Sequence, residues 1–414
     1  MKPNLLNIES AQQEPPPRFA LFQLGFRPFF LGAGLVTASL VALWLHLYFS
    51  GVAISSHYSN LQWHSHEMVF GFAVAIMAGF LLTAVKNWTG IATTTSRSLR
   101  LLVTLWLAGR LLVYLPMPAL ILVAVDLLFL PLLAWFLWRP LWKAKQKHNF
   151  FMPVMLLVMG GLNTLFHLNI LGVFNGLSTT ELVNIAIWLI MLLMLLMVLM
   201  VLMVLMVLMV VMVVMSGRVI PLFIENGLGV QCRKWLWLEL LCIAGVISMA
   251  LLETLLANPV WLAATAMVVA TLHAIRLSGW WHNAAFSVPL LWVLQLGYLW
   301  LIVGFFFKAL VALNVLMPLF AVHALVMGGL GVIGLGMMAR VALGHTGRAL
   351  QSAPLMSWAF IAVNLAVLMR AVVAPLFIEN YSTWIVLSGS FWVLGFTLFL
   401  WVYLPILIQY FGQF

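Results

Sequence analysis

Apolar runs of about twenty residues, divided by short polar turns, recur along the whole chain, and a helix of that length is what crosses a hydrocarbon core of about 30 Å. Of 414 residues, 65% are hydrophobic and only 7% charged, against roughly 25% charged in soluble chains. A chain so poor in charge lacks the polar surface of a soluble globule, a disordered tail or a nucleic-acid module. It is expected to be all-α: a polytopic membrane protein of about twelve transmembrane helices, near 29–50, 67–85, 99–115, 119–138, 151–172, 183–215, 235–254, 259–276, 287–307, 315–339, 355–376 and 384–410. Residues 1–28 read as a cytoplasmic N-terminal tail, polar and proline-rich, with no cleaved signal peptide. Residues 29–414 read as a single transmembrane helical domain.

The net charge of +10 would suggest a nucleic-acid partner in a soluble protein. Here the positions of the basic residues argue otherwise. In the twelve-helix reading, all but Arg110, Lys308 and Arg370 of the nineteen basic residues fall on one side, as the positive-inside bias requires. That side is the cytoplasmic one, and it holds both termini. The partner implied is the lipid bilayer, not nucleic acid.

Two sequence features carry little chemistry. Cys232 and Cys242 are too far apart along one helix to bridge, and no cysteine-rich metal motif exists. From Met191 to Met215 methionine recurs at every third position. Thioethers suit copper(I), but a period of three drifts by about 60° per step on a helix of 3.6 residues per turn. The methionines therefore spiral around the helix without forming a stripe, as an expanded apolar repeat would.

Polar side chains at membrane depth are more informative. An Arg, Lys or Asp at mid-bilayer costs at least about 2.5–3.5 kcal/mol, so each needs a partner. Of ten histidines, the topology puts His46, His57, His64, His66, His167 and His323 in the outer half, and His148, His273, His282 and His345 at the cytoplasmic edge. Several spans thus bring imidazoles to one outer layer, where they could hold copper, zinc, iron or haem iron; each could equally bond a neighbouring carbonyl. His64 and His66 are two residues apart, about 200° on a helix, so in a helix they serve different sites. Glu67 either orients a ligating imidazole or is a solvated loop carboxylate. Arg110 and Arg370, also in the outer half, want carboxylates, which haem propionates would supply, unless they snorkel. Asp126, Asn163 and Asn169 read as hydrogen-bonding glue between helices. No Walker pattern, catalytic triad order or HExxH occurs.

Several segments in order along the chain, LGFRPFF (Leu24 to Phe30), WHSHEMVFGFAVAIMAGFLLTAVKNWTG (Trp63 to Gly90), LNTLFHL (Leu162 to Leu168), SGRVIPLF (Ser216 to Phe223), PLLWVLQLGYLW (Pro289 to Trp300) and HALVMGGLGVIGLGMMARVALGHTGR (His323 to Arg348), resemble the NnrS family of bacterial inner-membrane proteins. The methionine-rich sixth span departs from the family pattern. The resemblance implies a multi-pass inner-membrane protein that contains haem and copper and serves the response to nitric oxide and nitrosative stress. The matched histidines are His64, His66, His167, His323 and His345, the last on the cytoplasmic side. Haem is then expected on His66 and His323, or one of them, with Arg110 and Arg370 at its propionates; His64 and His167 are expected to hold copper. A weaker resemblance links helix two to haem–copper oxidases and nitric oxide reductases, although no tandem histidine pair follows helix six. The protein would bind or turn over nitric oxide, or protect metal centres from it, and any enzyme activity would be that of a haem/copper oxidoreductase. A secondary transporter and an assembly factor for a respiratory complex are the competing readings.

Overall fold

The computed structural model describes residues 19–54, 57–173, 178–187, 219–253 and 258–409. Within them the chain is helical apart from turns and one isolated antiparallel bridge, Phe19 to Gln409. The helices are α1 (Phe26–Ser50), α2 (Asn60–Thr89), α3 (Ser96–Leu111), α4 (Ala119–Lys143), α5 (Phe151–Ile170), α6 (179–187), α7 (Val219–Leu228), α8 (Leu236–Leu251), α9 (Pro259–Ser278), α10 (Pro289–Ala312), α11 (Pro318–Gly344), α12 (Pro354–Leu376) and α13 (Tyr381–Ile408). Nine described stretches are long and apolar enough to cross a membrane; α3 and α8 are shorter. Most of the sixth expected span, with its methionine repeat, lies outside the described residues. Cys232 and Cys242 are not joined in a disulfide.

Local chemistry sets the helix ends. Ser59 and Gln62 form a capping box at the start of α2, and Thr95 and Ser98 another before α3, each satisfying orphan N–H groups. Prolines open α9, α10, α11 and α12, where a missing N–H costs nothing. Gly51 and Gly90 close α1 and α2 in the left-handed conformation that favours glycine. The Ser59 box starts α2 seven residues before the expected boundary, so His64 and His66 are helical.

The first and last helices meet. Phe19 pairs with Gln409, the Ala20 N–H donates to the Ile408 carbonyl, and Arg27 Nη1 donates to the carbonyls of Ile406, Leu407 and Gln409. A cation here completes the free carbonyls that end a helix. Ala20 and Arg27 are buried, so the bundle takes in the end of the expected tail, and α1 starts at Phe26.

The most enclosed helices are α2, with 89% of its most apolar stretch buried, and α11, with 72%. In α11 the run of glycines permits this: a Cβ on Gly331 would stand 2.4 Å from Trp392, and one on Gly334 would stand 2.9 Å from Ile76 of α2. Glu67–Ala73 in α2, Ala324–Val332 in α11 and Leu368–Val373 in α12 widen to π-helix. Such wide turns often mark functional positions. Here they adjoin His66, adjoin His323 and contain Arg370.

Candidate functional site

The widened turn of α2 displaces backbone carbonyls from their regular partners, and α3 supplies replacements. Trp106 donates its indole N–H to the Gly71 carbonyl at 3.2 Å, and Arg110 Nη1 donates to that of Phe70 at 3.1 Å. This fixes Arg110 between two carboxylates. Its Nε lies 2.6 Å from Glu67 Oε2, and its Nη2 pairs with Asp126 Oδ1 of α4. All three side chains are buried. Glycines make the room: a Cβ on Gly71 would approach Glu67 Oε2 to 2.8 Å, and one on Gly109 would approach Asp126 Oδ1 to 2.9 Å.

Around the other oxygen of Asp126 gather the histidines. His66 Nε2 and His167 Nε2 each lie 3.2 Å from Asp126 Oδ2. Asn163 of α5 donates its amide N–H to the same oxygen at 2.6 Å and turns its own carbonyl to His66 Nε2 at 2.9 Å. His66 Nδ1 is 3.1 Å from Glu67 Oε1. Glu67 is thus no solvated loop carboxylate but orients an imidazole. The ligand atoms of His66, Asp126 and His167 lie within 4.8 Å of one another. Ligands at about 2.1 Å around a tetrahedral ion stand some 3.4 Å apart, so this group has the size of a metal site. Its charge also allows an ion: two carboxylates face one guanidinium, and the His66 imidazole between them balances the second either by carrying a proton or by ligating a cation. A porphyrin has no place between donors already 3.2 Å apart.

Two residues outside the spans complete this face. His57 shares a hydrogen bond of 3.1 Å, Nε2 to His167 Nδ1, and the two rings stack with centroids 5.4 Å apart. Burial, and next the neighbouring His167, push the His57 imidazole down to about 4. Tyr58 packs between the rings, 5.4 Å from His66 and 5.9 Å from His167; burial and then the Asp126 charge hold its phenol well above the usual range.

The opposite face of α2 carries a different group. His64 stacks on Trp44 of α1, centroids 4.4 Å apart, and its buried Nδ1 has no hydrogen-bond partner. His323 of α11 turns its Nδ1 to the Leu319 carbonyl at 2.6 Å, which leaves Nε2 as the nitrogen available to another partner. Both interact electrostatically with Arg370 of α12, and His323 with His64. Arg370 donates to the Tyr381 hydroxyl at 2.7 Å and has no carboxylate partner among the described residues.

All the expected site residues therefore lie in these two groups, but in a different division. His66 joins His167 through Asp126, while His64 and His323 are related only by electrostatic interaction, with each other and with Arg370. Arg110 has the protein's own carboxylates, leaving Arg370 as the arginine without one. Asp126 and Asn163 had read only as glue between helices, and the signal for Asp126 was its isolation as the sole aspartate of the chain. His57 had been placed in the right layer without a role. His46 is exposed.

A third buried network, at the end of the bundle where Phe19 meets Gln409, has no metal-like geometry. Arg276 of α9 pairs with Glu239 of α8 through Nε at 2.9 Å and Nη2 at 2.5 Å. Its Nη1 donates to the Tyr298 hydroxyl of α10, which lies 2.5 Å from His273 Nδ1. Arg276 is thus a buried tie among three helices, where its position in the sequence had suggested a surface orientation signal.

The bundle and its polar core define a membrane protein of many apolar helices with a candidate metal centre between them. Comparison with known families matches residues 20–410 to the NnrS protein family, nearly the whole chain, and the chain belongs to it. No curated protein matches it.

Proposed function

We propose that this NnrS-family membrane protein acts in the nitric oxide response through two cofactors divided by α2: copper on one face, held by His66, Asp126 and His167, and haem on the other, held by His64 and His323 with Arg370 at its propionates. The observation that carries the division is the contrast in charge. The His66 face has two carboxylates to one guanidinium, so a metal ion can take the place of a proton on His66 as the balancing charge. The His64 face has a guanidinium and two imidazoles with no carboxylate paired to them among the described residues, which favours a ligand that brings its own. Two imidazoles and a carboxylate are harder donors than thioethers, so the ion would be copper(II) rather than copper(I).

The residues have distinct tasks in this reading. Glu67 fixes the ring of His66, and Asn163 and Arg110 hold the Asp126 carboxylate in line. The Leu319 carbonyl sets the tautomer of His323, and Tyr381 orients Arg370. Haem iron with one axial position open binds a diatomic gas, and with both filled carries electrons. Nitric oxide is the gas the family resemblance suggests.

We further propose that the cofactor end faces the periplasm across the bacterial inner membrane and that the paired ends face the cytoplasm. Exposed Lys86, Arg97, Arg100, Lys143, Lys145 and Lys147 near those ends support this orientation. The analogy with the haem–copper oxidase core draws support from the two most enclosed helices being those with His64, His66 and His323. The test is copper and haem counted per purified chain, with the haem spectrum recorded before and after nitric oxide. Both cofactors, and a Soret band that shifts with the gas, are expected; protein that purifies with neither would end the proposal.

A further inference from the structure

An ion bound at His66, Asp126 and His167 must reach side chains that are 0%, 6% and 0% exposed. Moving a bare ion from water into such surroundings is prohibitive, so its hydration shell has to be exchanged for protein ligands one at a time. Among the described residues, one metal-ligating side chain both touches the triad and reaches the surface: His57, half-buried in the turn between α1 and α2.

The contact it makes is the relevant one. His167 turns its Nε2 inward to Asp126 and its Nδ1 outward to His57 Nε2, 3.1 Å away. Two imidazole nitrogens at that spacing are about as far apart as two ligands of one ion. His167 therefore faces two potential sites, an outer one shared with His57 and an inner one shared with His66 and Asp126. The ring of Tyr58 packs against all three imidazoles and holds them in one layer.

We infer that His57 Nε2 and His167 Nδ1 form a loading site, through which a divalent metal ion enters from the outer face before passing to the inner triad. The inference rests on the metal-centre reading above. As the ion takes its place, the proton between the two nitrogens moves by way of water to His57 Nδ1, so both rings ligate as neutral imidazoles. When the ion moves inward, the Nε2 proton of His167 is exchanged for one on Nδ1, so the ring remains neutral and the outer nitrogens resume their hydrogen bond.

The experiment separates loading from retention. Metal-stripped full-length protein in detergent is mixed with copper(II) chloride, desalted at timed intervals, and its bound copper counted. His57→Ala and His57→Phe should both fill at least tenfold more slowly than wild type and reach the same final content. The phenylalanine keeps an aromatic ring against Tyr58 and His167 while removing the nitrogen. A wild-type rate in both variants would overturn the loading site, as would a wild-type rate in His57→Phe alone, which would make His57 a packing residue. A lower final content would make His57 a permanent ligand and overturn it too. Wild-type protein that binds no copper would instead remove the metal centre itself.

Discussion

His64 and His66 are two residues apart, yet they face opposite electrostatic worlds. On the His66 side both nitrogens of His66 face oxygen acceptors, the group is closed, and carboxylates outnumber the guanidinium. On the His64 side a ring nitrogen lacks a partner, the group is half-open, and the charge is positive. One helix separates a carboxylate-bearing group of side chains from a guanidinium-bearing one without any intervening domain. The contrast teaches that, in a bundle so poor in charge, a shift of about 200° around one helix is enough to select for a cation or for an anion-bearing ligand.

The sharpest way to break this contrast is Asp126→Asn. It leaves Arg110 short of a counterion and removes the only carboxylate shared by both imidazoles. A broken buried pair costs about 3–5 kcal/mol, so thermal unfolding should shift downward and bound copper should vanish. Haem per folded chain should persist, and joint loss of both cofactors would show a single site in place of two. Next in size, His64→Ala or His323→Ala should strip haem, read from the Soret absorbance per chain, while copper content stays at the wild-type level. Arg370→Gln removes a charge-assisted contact worth about 1.5–3 kcal/mol; haem titration should show affinity weakened about 10- to 100-fold. The smallest effects come from glycines. Gly109→Ala forces a methyl to within 2.9 Å of Asp126 Oδ1 and should cost about 1–3 kcal/mol by overpacking. Gly161→Ala meets nothing within 4 Å and should stabilise by up to about 1 kcal/mol in the same melting assay.

Much of the fold was legible because lipid leaves helices as the available answer for a long apolar run. The opposite facing of His64 and His66 was legible too, since it follows from helical pitch once the segment is helical. That condition was itself written in the chain: Ser59 followed three residues later by Gln62 is a capping box, and it moves the start of α2 outward. The partnering was not legible. Spacing along α2 tells which face His66 takes, but not that α4 brings Asp126 and α5 brings His167 to it; helix packing across the bundle decides that. The widened turns were hidden as well, because no residue pattern marks where a helix takes up an extra residue. The cost of charge in lipid did flag Asp126 as needing a partner, and its solitude among the acidic residues was the better clue to a ligand.

The clasp of Arg27 on the last carbonyls of α13 has an evolutionary corollary. In the orientation proposed, a polypeptide that leaves its bundle beside its point of entry traverses the bilayer an even number of times. Deleting or duplicating a single traverse would pull Phe19 and Gln409 apart by the membrane's thickness, about 30 Å, and strand a buried guanidinium. Descendants of this architecture can therefore grow or shrink only by hairpins.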